Sequence, residues 1–92
     1  MTPKQIERIS KALGDPYRLK IVEAIHRDQE KGWLPCVAIV EMLDLAQSTV
    51  SHHLKQLVDA DLVIAQKDGR HARYMINKEV FTDYINFLSV YN

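Results

Sequence analysis

Apolar positions along this chain follow two rhythms, a helical one that dominates and a strand-like one confined to a single stretch. From Gln47 to Val58 the residues Val50, Leu54, Leu57 and Val58 recur at i, i+4, i+7 and i+8, which is one buried stripe of a helix. At about 100° per residue, Ser48, His52, Lys55 and Gln56 project opposite that stripe, with Thr49 and Ser51 on its shoulders. The exposed face is therefore short hydroxyls, an imidazole, an amide and one cation. Just upstream, from Val37, a short apolar-periodic segment reads as a helix separated from this one by a tight turn. After Asp59 the rhythm changes. Leu62 to Lys67 and Arg70 to Asn77 are β-prone runs, and Asp68-Gly69 between them tolerates positive φ, which predicts a two-residue hairpin turn. That register sets Lys67 opposite Arg70, Ala65 opposite Ala72 and Val63 opposite Tyr74.

Helices are predicted at both ends as well. Thr2 supplies an N-cap, Pro3 the first helical position and Gln5 the third, after which Ile6, Ile9 and Leu13 line one face up to Gly14. Asp15-Pro16 opens a second helix with Leu19, Ile21, Val22 and Ile25 inward, ending near His26. Arg27 to Leu34 is charged, contains Gly32, and reads as a loop. Near the C-terminus Asn77 is placed to cap a helix whose Phe81, Tyr84, Ile85 and Leu88 fall at i, i+3, i+4 and i+7. Burying four such side chains is worth about 1.5–3 kcal/mol each. A two-fold dimer through the first and last helices, using Ile6, Ile9, Leu13, Phe81, Tyr84, Ile85 and Leu88, satisfies that stripe.

The order of elements is α-α-α-α-β-β-α: a mainly α chain with a small β-hairpin, and the outline of a winged helix-turn-helix. The polar face of the Gln47–Val58 helix can donate to phosphates and base edges in a major groove. The hairpin tip is expected to carry Lys67 and Arg70 side by side, with His71 and Arg73 near. Like charges directly opposite in a ladder repel, and a polyanion across the tip relieves them.

Composition changes this picture only slightly. The 92 residues make one domain, 1–92, with a limited core of its own. Twelve basic and 12 acidic side chains cancel, so any DNA affinity comes from local placement rather than from an overall field. Basic residues collect at the hairpin, acidic ones at Asp28, Glu30, Glu41 and Asp44. No membrane span or signal peptide is expected, and a single cysteine, which permits no internal disulfide, suits the cytoplasm. There is no Gly-rich phosphate loop and no evident catalytic base for the cysteine, so an enzyme is not expected, nor is a cofactor.

Four segments resemble the ArsR/SmtB family of small winged-helix repressors. They are A-L-G-D-P-Y-R-L-K-I at Ala12 to Ile21, Q-S-T-V-S-H-H-L-K-Q-L at Gln47 to Leu57, D-A-D-L-V at Asp59 to Val63 and K-D-G-R-H-A-R-Y at Lys67 to Tyr74. The resemblance implies a homodimeric repressor of an inverted-repeat operator in double-stranded DNA, with Gln47, Ser48, Ser51 and His52 touching DNA and the wing reaching the neighbouring groove. With the residues read above, the expected DNA-binding set is Gln47, Ser48, Thr49, Ser51, His52, Lys55, Lys67, Arg70 and Arg73. In many members the inducer is a metal held by Cys-Val-Cys or by Asp and His on the last helix. Here the first reads Cys36-Val37-Ala38 and the last helix has no histidine, so no metal site is expected and the small-molecule or redox effector is unassigned. Cys36, beside Pro35 at a helix start, reads by default as a buried structural residue; the alternative is a redox handle whose pKa the helix dipole lowers. The alternatives are that redox-responsive regulator and a winged helix used as a protein-interaction module. Ala46 stands where the family carries a capping serine, and losing that cap should cost about 1 kcal/mol.

Overall fold

In the computed structural model, which describes residues 1–28, 33–69 and 71–92, five helices and three strands follow one another. They are α1 (Pro3–Leu13), α2 (Pro16–Asp28), β1 (Leu34–Pro35), α3 (Cys36–Leu43), α4 (Gln47–Asp59), β2 (Val63–Asp68), β3 (His71–Ile76) and α5 (Lys78–Ser89). Helix α1 begins as its sequence dictates. The Thr2 hydroxyl accepts from the Gln5 amide at 3.2 Å, and the Gln5 side chain accepts from the Thr2 amide at 2.8 Å, a complete capping box with Pro3 in the first turn. At the start of α2 the Asp15 carboxylate accepts from the amides of Tyr17 (2.8 Å) and Arg18 (3.2 Å).

The apolar stripes meet in one core. Ile9 of α1, Ile21 and Ile25 of α2, Ile39 of α3, and Val50, Leu54 and Leu57 of α4 are buried together with Leu62 at the entry to β2. The α4 stripe thus seats the helix by three side chains, each worth about 1.5–3 kcal/mol of burial. Ile9, expected at a dimer face, is enclosed by its own protomer instead. Leu19, expected inward, is 50% exposed, because the buried side of α2 runs through Ile21, Ala24 and Ile25 and leaves Leu19 outside it.

The sheet departs from the sequence reading in two ways. Leu34–Pro35, expected to be loop, is a short edge strand paired antiparallel with β3, giving the order β1-β3-β2. The hairpin register is also shifted by two residues. Lys67 lies opposite Ala72, Ala65 opposite Tyr74 and Val63 opposite Ile76, with Asp68 and His71 as the last pair. The positive φ of 60° falls on Gly69, while Asp68, expected in the turn, is the last residue of β2. Sliding by two keeps every side chain on its face, so the buried pattern is the same in both registers and only the turn chooses between them. The expected repulsion between Lys67 and Arg70 is absent from the ladder, and Arg70 itself lies outside the described residues.

Helix α5 starts after Asn77, but no Asn77 side-chain bond caps it. None of its residues is buried, and Ile85 and Leu88 are 61% and 45% exposed. Phe81 and Tyr84 are half-buried against the core, and the Tyr84 hydroxyl lies 2.8 Å from Ser10 Oγ on α1.

Candidate nucleic-acid interface

The turn that presents α4 is short because Asp44 adopts the left-handed conformation (φ 52°, ψ 43°) and its amide closes α3 by donating to the Val40 carbonyl. An αL residue ends a helix within one step, and Asp tolerates it better than most. Leu45 and Ala46 then lead into α4, and Ala46 sits at the N-cap with no side-chain acceptor for the first-turn amides. Neither Asp44, Gln47 nor Ser48 replaces the missing serine. The amino end of α4 is uncapped and carries the positive end of the helix dipole.

Along α4, Gln47, Ser48, Thr49, Ser51, His52 and Lys55 are all exposed, while Val50, Leu54 and Leu57 are buried beneath them. The Lys55 ammonium is held 2.9 Å from Asp59 one turn on, an exposed pair of the kind worth little. His53, next to His52, turns the other way. Its ring stacks on Tyr17 at 6.0 Å, and its Nδ1 lies 3.3 Å from Arg18 Nη1.

Arg18 is the residue whose reach the sequence conceals. Its Nε donates to the Ala12 carbonyl (2.6 Å), its Nη2 to the Lys11 carbonyl (3.1 Å), and Nη1 approaches both His53 and, at 3.9 Å, Asp15. One guanidinium thereby satisfies the open carbonyl end of α1, the start of α2 and the back of α4, and so fixes the reading helix against the frame. Burial works to raise the Asp15 pKa, but the backbone donors of Arg18 and Tyr17 and the charges of Arg18 and His53 outweigh it and hold the carboxyl below its ordinary value.

Facing α4 across a cleft of about 610 Å³ is the inner side of the hairpin. Gln47, Ser51 and Lys55 line one wall, Lys67, Gly69 and His71 the other. Lys67 and His71 are exposed. Arg73 is exposed too, but it is bound to the hairpin itself: its Nε donates to Gln66 Oε1 at 2.5 Å and its guanidinium lies over the Trp33 ring at 5.6 Å. Trp33 is thus an aromatic platform for that arginine. Cys36 is half-buried beneath the cleft, and burial pushes its thiol pKa up, in keeping with the structural reading and against the lowering that the redox alternative needs. Among the described residues there is no group of three metal-ligating side chains and no helix long and apolar enough to cross a membrane.

The helix-turn-helix domain family matches residues 13–64, the segment from the end of α1 through the start of β2. An arsenical resistance operon repressor of Staphylococcus xylosus is 40% identical over 86 residues, covering 94% of this chain and 78% of that protein. Among solved structures, an ArsR family transcriptional regulator superposes with a TM-score of 0.85 at 27% identity, over 97% of this chain and 88% of the other. The homodimeric winged helix-turn-helix DNA-binding domain of Mycobacterium bovis Mb0332 gives 0.73 at 26% identity, over 95% and 78%. Together with the exposed polar helix and its adjoining wing, these likenesses place the chain in the ArsR/SmtB family of winged helix-turn-helix, DNA-binding transcriptional regulators.

Proposed function

We propose that the chain acts as a homodimeric repressor, reading a short inverted-repeat operator with one α4 per half-site and releasing it on a signal other than a metal bound at the family's usual positions. The observation that carries this is the division of α4: three side chains lock it into the core while six polar ones from Gln47 to Lys55 face outward beside the hairpin. Ser48, Thr49, Ser51 and His52 supply groups for base edges and phosphates, and Gln47 and the uncapped amides suit a phosphate at the helix start. Lys55, Lys67 and Arg70 contribute charge, and Arg73 a lesser share because Gln66 and Trp33 already engage it.

Dimerisation rests on α5. A helix with no buried residue and with Ile85 and Leu88 exposed gains several kcal/mol by covering that face. Ile6, Leu13, Phe81 and Tyr84, none of them fully buried, complete the proposed face; Ile9 does not, being already enclosed. Two copies carry two reading helices, which suits half-sites about one helical turn apart. A metal signal is disfavoured by the donor set, since Cys36-Val37-Ala38 offers one soft ligand. Thiol oxidation is disfavoured by burial, which keeps Cys36 protonated. The test is a selection from random duplexes at moderate salt, followed by anisotropy titration of the enriched sequence against a scrambled one. An enriched inverted repeat bound by one dimer is the expected result; equal, weak binding to both duplexes would overturn the reading in favour of a protein-docking module.

A further inference from the structure

The cleft between α4 and the hairpin has a floor that DNA contact does not explain. Its base is apolar, formed by Leu54 and Val58 on the helix side and by Ala65, Ala72 and Tyr74 on the sheet side. Alanines at positions 65 and 72, where the strand pattern has room for Val or Ile, leave the space between helix and sheet unfilled. At about 610 Å³ it falls within the range of small-molecule sites, which are apolar hollows with a few convergent polar groups. DNA, by contrast, is met by a wall's polar rim and needs no hollow behind it.

Two polar groups lie at that floor. Tyr74 is only 8% exposed and, unlike Tyr84 with its Ser10 partner, has no hydrogen-bond partner for its hydroxyl among the described residues. An enclosed tyrosine whose hydroxyl has no partner on the protein has a donor to offer an acceptor. Beside it is the Cys36 thiol. Burial pushes both groups up, and for Tyr74 the neighbouring Cys36 adds to the push, so each stays protonated and acts as a donor. At the mouth stand Lys55, shared with Asp59, together with Lys67 and His71.

We infer that this cleft is a ligand site for a small aromatic carboxylate carrying an oxygen acceptor at the end remote from its carboxylate. The ring fills the space between the apolar helix and sheet walls with few bonds to freeze. The remote oxygen accepts from Tyr74, and the carboxylate meets Lys67 at the mouth. The effector role of such a ligand rests on the repressor reading: Gln47, Ser51, Lys55 and Lys67 line the same walls, so an occupied cleft and bound DNA exclude one another, and each weakens the other by the same factor.

The probe is 6-hydroxy-2-naphthoate, with 2-naphthoate, which lacks the remote oxygen, as its partner. Titrated into the full chain at millimolar concentration, the first should shift amide resonances of Ser51, Ala65, Ala72 and Tyr74, and Tyr74→Phe should weaken it by about three- to tenfold, the worth of one hydrogen bond. Binding of 2-naphthoate should be unchanged by that substitution. Ala72→Leu, which fills the floor, should abolish both. Absence of binding, shifts confined to another surface such as Val22 and Phe81, or equal loss of both probes in Tyr74→Phe would overturn the site. A separate anisotropy titration of the enriched duplex tests competition. If no duplex is enriched, the repressor reading fails while the spectra still decide the ligand site; if the duplex stays bound at saturating probe, the effector role fails.

Discussion

Helices α1 and α4 are of similar length, 11 and 13 residues, yet their amino ends are built in opposite ways. In α1 the chain closes its own end: Thr2 and Gln5 exchange hydrogen bonds, Pro3 removes a donor, and Arg18 covers the carbonyls at the other end. In α4 Val50, Leu54 and Leu57 are buried beneath while the first-turn amides meet no side chain. The Thr2 box keeps the amino end of α1 satisfied from within. The open end of α4 is free for a ligand to meet, and the stability forgone there is offset by burial of Val50, Leu54 and Leu57.

The comparison can be broken most severely at that buried stripe. Leu57→Ala should cost about 2–5 kcal/mol in denaturant unfolding and weaken sequence-specific binding with it, because Leu57 is one of the three side chains that seat α4. On the outer face, His52→Ala should change which base is preferred at one operator position by about 1–3 kcal/mol, with thermal stability unaltered. The caps come next. Thr2→Ala should lower unfolding free energy by about 1 kcal/mol, whereas Ala46→Ser should raise it by a similar amount and weaken duplex binding if the free amides of α4 hold a phosphate. A gain in stability with duplex affinity intact would show that the open end is merely tolerated. Smallest is Asp59→Asn, which should cost about 0.3–0.5 kcal/mol and free Lys55 to add to the salt dependence of binding.

Acid should affect the two helices unequally. Asp15 is the carboxylate held below its ordinary value, so its contribution is fully present above the unfolded carboxylate range near about 3.9 and is lost as pH falls through its lower folded value. Asp15 opens α2 beside the Arg18 clamp, so that loss loosens the frame behind α4. It leaves the Thr2 capping box, which has no acid, untouched.

Much of this was legible from residue order, and the reasons are local. The capping box of α1, the stripe of α4 and the exposed faces of Ser48 and His52 are decided within one or two turns of helix, where spacing translates directly into geometry. The hairpin was legible as a hairpin, but its register was not: Asp68-Gly69 and a turn one residue later preserve the same inward and outward faces, so alternation could not separate them. Leu34–Pro35 was unreadable as a strand because two residues carry no periodicity; only the edge of β3 makes them one. Leu19 and Ile9 failed for a related reason, since an apolar position on a helix declares that it seeks cover without saying whose.

By itself, then, the order of amino acids determined the helices, the polar reading face and the presence of a wing, because each depends on contacts between near neighbours. The tertiary structure alone decided that Arg18 reaches His53, that Trp33 carries Arg73, that burial keeps Cys36 a thiol, and that a cleft opens over Tyr74. Those depend on residues far apart in the chain being brought together, and no local pattern encodes which distant surface a side chain will meet.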